Sequence, residues 1–179
     1  MKKVGVFLRA INLSGRRLLM ADFKRALEAA GHPDAQTVVA TGNAVILAAA
    51  AGPALEARIE EALETTLGQS TEVFTRDGAE LAAVVKANPF PKMATDDPSH
   101  LVVVFLNGQA TADAVETLRG KIKGPEEVAA GPACLYACYP DDIGHSKLTA
   151  AMIERALKLR GTARNWNTVL KMAELARDP

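Results

Sequence analysis

The sequence predicts an α+β protein of two ferredoxin-like (split βαβ) halves with an extra C-terminal helix. Three observations predict it. Helical and strand patterns alternate in the order β-α-β-β-α in each half. The apolar run Val4-Gly5-Val6-Phe7-Leu8 returns as Val102-Val103-Val104-Phe105-Leu106. A proline-rich stretch, Asn88 to Ser99, breaks the periodicity between them and reads as a connector. The halves are therefore placed at 1–94 and 95–179, as a duplicated plan.

The first half is legible element by element. Val4 to Leu8 is short, apolar and β-branched, the pattern of a buried strand. Phe23, Ala26, Leu27 and Ala30 recur at helical spacing, and Gly31 ends that helix. Gln36–Ala40 and Ala44–Leu47 read as two short strands, with Thr41-Gly42-Asn43 as the turn between them. Pro53 opens a helix that carries Leu55, Ile59, Leu63 and Leu67 on one face and closes at Gly68. Thr71–Thr75 is a fourth strand, and Asp77 caps a third helix bearing Leu81, Val84 and Val85.

The second half repeats the order. Leu101–Leu106 is a strand, and Val115, Leu118 and Ile122 mark a helix. Glu126–Ala130 and Ala133–Tyr139 are strands turned by Gly131-Pro132. A helix is expected from Lys147 to Arg160, stopped by Gly161. Thr162-Ala163-Arg164 reads as a short link to a last helix, Trp166–Arg177.

Composition excludes several classes. The chain has 179 residues, 49% of them hydrophobic and 23% charged, which is ordinary for a globular protein. No apolar run approaches the roughly 18 residues of a membrane helix, and Arg9 interrupts the N-terminal apolar stretch before it reaches signal-peptide length. No membrane partner is expected, and a cytoplasmic location is. Cys134 and Cys138, four apart on a strand, are about 13 Å apart, too far for a disulfide; they read as reduced, half-buried thiols. There is no GxGxxG, P-loop, HExxH or paired CxxC signature, so the residues name no cofactor and no metal.

The net charge is zero, but it is partitioned. Residues 1–31 carry +5, residues 143–177 carry +5, and residues 32–142 carry −9. Segregation of this kind points to an anion-facing surface.

Four segments hold polar groups that neither a core nor a simple turn requires. The first runs from Arg9 to Arg17, where Arg9, Arg16 and Arg17 offer guanidinium forks, Asn12 an amide and Gly15 an unobstructed backbone N–H. It leaves the end of a buried strand, a common ligand position. The second is Thr41-Gly42-Asn43. The third is Gly144-His145-Ser146-Lys147, read as the start of a helix, where free N–H groups with Ser146 and Lys147 form an anion cradle. The fourth contains Arg164, Asn165 and Asn167.

Each has a structural alternative. Ser146 and Asn165 are good N-caps, Thr41 to Asn43 is a hairpin turn, Arg9 pairs with an acidic residue across the sheet, and Trp166 anchors a core. His100 with Asp96 and Asp97 fits a solvated connector better than a metal site.

Several of these segments carry a resemblance. Phe7-Leu8-Arg9-Ala10-Ile11-Asn12-Leu13-Ser14-Gly15, Thr41-Gly42-Asn43-Ala44-Val45, Asn88-Pro89-Phe90-Pro91, Ser146-Lys147-Leu148 and Thr162 through Lys171 together resemble the bacterial DUF1697 family. The resemblance implies a two-part α+β protein of bacteria and no established activity, substrate or cofactor.

Three functions compete on this sequence. A binding module for a phosphate-bearing or other anionic ligand, a nucleotide or nucleic-acid segment, rests on Arg9, Asn12, Gly15, Arg16, Arg17, Thr41, Asn43, Ser146, Lys147, Arg164, Asn165 and Asn167. General single-stranded RNA binding fits poorly, because aromatics total 4% and Phe7 and Phe105 lie in apolar runs. A hydrolase or transferase rests on the proximity of Asp142, His145 and Ser146, the parts of an acyl-transfer triad. A homodimeric interaction protein rests on the last two helices.

Overall fold

The computed structural model describes residues 1–9, 18–38, 42–68 and 70–178. The first strand, β1 (Lys2–Leu8), is followed by α1 (Met20–Ala29), β2 (Gln36–Val38), β3 (Asn43–Ala48), α2 (Pro53–Leu67) and β4 (Val73–Asp77). Helix α3 (Gly78–Lys86) and the short α4 (Pro91–Asp96) then lead to β5 (Leu101–Leu106), α5 (Ala112–Lys121), β6 (Glu127–Gly131), β7 (Cys134–Cys138), α6 (Ala150–Leu157), β8 (Gly161–Asn165) and α7 (Trp166–Leu175). The strands form two antiparallel four-stranded sheets, in the orders β2-β3-β1-β4 and β6-β7-β5-β8. Each order is that of a split βαβ fold, so the two split βαβ halves are real; the fourth strand expected in the first half is β4, and the second half completes the same six elements with β8 before its next helix.

The chain divides into two compact units, one of residues 1–82 with 171–179 and one of residues 83–170. In the first, the even positions of β1 (Val4, Val6 and Leu8) join Ala44 and Ile46 of β3, Phe23 and Leu27 of α1, and Ile59 and Leu63 of α2 in one core. The period of two in the strand and of three to four in the helices produces these faces. On the other face, Gly5 lies within van der Waals reach of Leu81 in α3 and Met172 in α7, at 3.2 and 3.3 Å from where its Cβ would stand.

The second unit repeats this with its own side chains. Val102, Val104 and Leu106 pack with Leu135, Val115, Leu118, Ile153 and Leu157. On the opposite face the Tyr136 hydroxyl donates to the Val84 carbonyl at 2.6 Å, and Tyr136 is fully buried. Desolvation raises its phenol pKa well above the ordinary value. Trp166 is 4% exposed, the core anchor expected of it.

Several expectations are corrected. Thr162-Ala163-Arg164 is not a link: it is the middle of β8, paired with β5 from Val102↔Asn165 to Leu106↔Gly161. The strand escapes apolar patterning because Gly161 admits no side chain, its Cβ position lying 2.7 Å from Val104 Cγ1 and 2.9 Å from the Phe105 carbonyl oxygen, and because Ala163 is exposed. Helix α6 is shorter than Lys147–Arg160. Thr149 caps it by accepting from Met152 N at 3.2 Å, and Lys158, at φ 55°, ends it in the left-handed conformation usually given to glycine. With β8 between them, α6 and α7 are not consecutive in the fold. The Asn88–Ser99 connector contains α4 and a 3₁₀ turn at Pro98–His100, because Pro91 and Pro98 start helical turns without needing an N–H. The β6–β7 turn is Pro132-Ala133, with Ala133 at φ 46°. Cys134 and Cys138 are not joined in a disulfide and are fully rather than half buried. Among the described residues no helix is long and apolar enough to cross a membrane.

Candidate functional site

Sheet topology fixes what lies at the carboxyl end of β1. Leu8 N donates to the Gly42 carbonyl at 2.9 Å, and Phe7 pairs with Asn43. Gly42 has φ 75°, a left-handed value that glycine adopts without a side-chain penalty. Thus the segment that begins at Arg9 and the turn that ends at Asn43 meet at one end of the first sheet. Asn12, Gly15, Arg16, Arg17 and Thr41 lie outside the described residues, as does the expected end of the second strand at Ala40. Arg9 is described: its N–H donates to the Glu72 carbonyl at 2.9 Å, and its guanidinium bonds the Glu72 carboxylate at 2.6 Å. This is the cross-sheet acidic partner anticipated for it. Each side chain of the pair is about one-third exposed, 32% and 33%, so solvent screens it in part. Asn43 is buried, at 0% exposure, on the same face as Phe7.

The other expected residues belong to the second unit. Ser146 and Lys147 do not begin a helix. They sit in a turn before Thr149, so the anion cradle built on a helix start is corrected to a turn. The Ser146 hydroxyl donates to Glu126 and accepts from Leu148 N at 3.1 Å. That bond is the first cause holding the Glu126 carboxyl below its usual pKa. Lys147 is exposed. His145 bonds Asp142, whose carboxyl it holds low, but the Ser146 hydroxyl is engaged by Glu126 instead of His145. The acyl-transfer triad is therefore not assembled.

Arg164 lies on β8 opposite Val103. Its guanidinium donates to Thr162 Oγ1 at 2.7 Å and to the Ala163 carbonyl at 2.8 Å. Burial pushes its pKa down to about 10, which still leaves it charged at neutral pH. Asn165 caps α7, accepting from Thr168 N at 3.0 Å, and Asn167 is exposed on the first turn of that helix. Ser146 is tied to Glu126, next to β6, whereas Arg164 is on β8. These are opposite edges of one sheet, three strand spacings or about 14 Å apart, so the structure does not bring these two residues together.

Sequence reasoning missed two hollows of the second unit. One of about 510 Å³ is lined by Pro89, Phe90, Arg119, Ile122, Glu126 and Val128, among others. Another of about 430 Å³ is lined by Phe90, Met93, Asp97, Glu127, Cys138 and Pro140, among others. None of the expected site residues lines either. Their one signal in the sequence is Asn88-Pro89-Phe90-Pro91, read as connector. Cys138, in the second hollow, is a poor nucleophile, because burial pushes its thiol up to about 11. Among the described residues no group of three His, Cys, Asp or Glu side chains is placed to hold a metal.

A family model described as "Protein of unknown function (DUF1697)" matches residues 1–136. Among solved structures, the conserved bacterial protein SP0830 from Streptococcus pneumoniae is similar, with a TM-score of 0.66, 17% identity and 98% of each chain covered. At that identity the likeness shows the fold. No curated protein matches the sequence.

Proposed function

Because the chain belongs to the DUF1697 family, whose description carries no activity, we propose from its own residues that it is a binding module for a phosphate-bearing or other anionic ligand, a nucleotide or nucleic-acid segment. The single observation that carries this reading is the 2.9 Å hydrogen bond from Leu8 N to the Gly42 carbonyl. It sets Leu8, the residue before the polar segment Arg9 to Arg17, against Gly42, within the polar segment Thr41 to Asn43, at the carboxyl end of a central strand. Three arginines, Asn12, Thr41 and the Gly15 amide belong to those segments, and guanidinium forks with backbone donors suit phosphate oxygens.

Glu72 has a part in this reading. It holds the Arg9 guanidinium at 2.6 Å and competes with any incoming anion. Calorimetry at low salt against inorganic phosphate, pyrophosphate and a nucleotide panel tests the proposal. Heat of binding is expected for at least one phosphate-bearing ligand, abolished by the double change Arg16→Ala and Arg17→Ala and strengthened about threefold by Glu72→Gln. Silence across the panel removes the proposal, and so does binding that ignores the double change.

A further inference from the structure

The two sheets treat their outer strands differently. In an antiparallel pair every second residue of an edge strand points its N–H away from its neighbour. In β4 these are Val73, Thr75 and Asp77, and a carboxylate meets each one. Glu60 accepts from Val73 N at 2.9 Å, Glu56 from Thr75 N at 2.8 Å and Glu80 from Asp77 N at 2.7 Å. Glu56 and Glu60 stand four apart on α2, a rise of about 6 Å. That matches the 6–7 Å between alternate residues of a strand.

β8 occupies the same place in the second sheet. Gly161 pairs with Leu106 as Val73 pairs with Leu8, and Asn107 N donates to the Arg160 carbonyl as Arg9 N does to that of Glu72. The outward N–H groups are therefore those of Gly161, Ala163 and Asn165. Glu154 of α6 accepts from Gly161 N at 3.0 Å, in the role of Glu60. Four residues earlier, where Glu56 stands in α2, α6 has Ala150. Three residues after Asn165, where Glu80 follows Asp77, α7 has Thr168. Among the described residues no group accepts from Ala163 N or Asn165 N. Ala163 is exposed, and so are Lys158 and Arg160 just before the strand.

We propose that the outer edge of β8 is a docking edge for an extended acidic segment of a partner protein, whose carboxylates take the amides of Ala163 and Asn165. The first unit shows which chemistry fits such an edge, since carboxylates fill the matching positions of β4. An extended Glu-x-Glu segment repeats its carboxylates every 6–7 Å, the interval between these two amides. Lys158 and Arg160 supply complementary charge for the approach, within a C-terminal stretch that carries +5. This proposal does not rest on the anion-binding reading of the first unit.

The test titrates the full chain into a fluorescein-labelled peptide of alternating Glu and Val at low ionic strength, read as anisotropy. A peptide with Gln for Glu and a labelled oligothymidylate run beside it. Ala150→Glu installs the missing carboxylate within the chain. Ala163→Pro deletes one outward donor without touching the β5 ladder, as an edge proline does. We expect saturable binding of the Glu peptide, weakened about tenfold by either change, with circular dichroism unchanged for Ala150→Glu. Equal affinity for the Gln peptide, no saturable rise, or undiminished binding by Ala150→Glu overturns the proposal. Tighter binding of the oligothymidylate, lost in the same variants, overturns it in favour of a nucleic-acid edge.

Discussion

The two units share topology, register and several side-chain roles, yet they differ where strands meet solvent. Phe7 and Phe105 occupy the same position in their sheets, and Arg76 and Arg164 stand opposite Gly5 and Val103. Each arginine folds back to bond the carbonyl before it, Thr75 at 2.7 Å and Ala163 at 2.8 Å. Asp77 and Asn165 cap the helices that follow. What diverged is the edge: β4 is closed by three glutamates, β8 by one. An open strand edge invites pairing with other chains, and most proteins blunt it. The second unit keeps its own buried core with a single carboxylate on that edge. The difference shows that a duplicated fold preserves its inward-facing pattern more strictly than its outward hydrogen bonds.

Breaking the closed edge is expected to have the largest effect. Glu56 accepts from both the N–H and the hydroxyl of Thr75, which is 1% exposed. Glu56→Ala leaves a buried N–H without its acceptor, at a cost of about 3 kcal/mol. Urea unfolding followed by circular dichroism measures it. A loss below about 1 kcal/mol would show that water replaces the carboxylate and that the two edges are energetically alike.

The next comparison concerns the strand centres. Gly5 and Val103 are equivalent, but a Cβ at Gly5 would stand 3.2–3.3 Å from Leu81, Met172 and Phe7 side chains. Gly5→Val makes the first sheet resemble the second. Crowding of this kind is expected to cost about 2 kcal/mol, visible as a lower urea midpoint at unchanged slope. Val103→Gly in the other sheet leaves a void and does not reproduce the effect by relief of crowding.

How much of this was legible in the sequence follows from what each residue faces. Apolar alternation in Val4–Leu8 and Leu101–Leu106, and the Pro53 and Gly68 boundaries of α2, reported their burial and backbone demands directly. β8 was illegible because an edge strand with Gly161 against a neighbour and Ala163 in solvent has no apolar period to show. Ser146 was misread because the Gly-His-Ser-Lys run has cap chemistry, while the cap that operates is Thr149, three residues on. The candidate site was legible only as composition: arginines and turn residues mark polar loops, but the meeting of Leu8 and Gly42 depends on strand pairing, and the Glu56–Thr75 contact joins residues 19 apart. The hollows beside Phe90 were hidden because Pro89 and Pro91 read as a linker whether or not they line a cavity.

The smallest expected effect separates the two helix caps by pH. Asp77 accepts from Glu80 N at 2.9 Å and bonds Lys2 at 2.8 Å. The Lys2 bond is the first cause of its lowered pKa, with the backbone bonds to Glu80 and Ala79 adding to it. A carboxyl whose folded pKa lies below its unfolded value of 3.8 stabilises the folded state at pH above 3.8, and that contribution disappears as pH falls through the lowered value. Asn165, its counterpart on α7, does not titrate. Asp77→Asn keeps an N-cap but removes the charge near the Lys2 ammonium and the helix N-terminus, so it is expected to cost about 1 kcal/mol at pH 7. The cost shrinks at an acid pH below 3.8, as pH falls through the lowered value. Asn165→Ala should cost a similar amount at both pH values, since its cap is neutral throughout. Unfolding midpoints of both variants against the parent, measured at the two pH values, decide the matter: a pH-independent loss in Asp77→Asn would mean that the carboxylate charge contributes nothing and that the two caps, unlike the two edges, are alike.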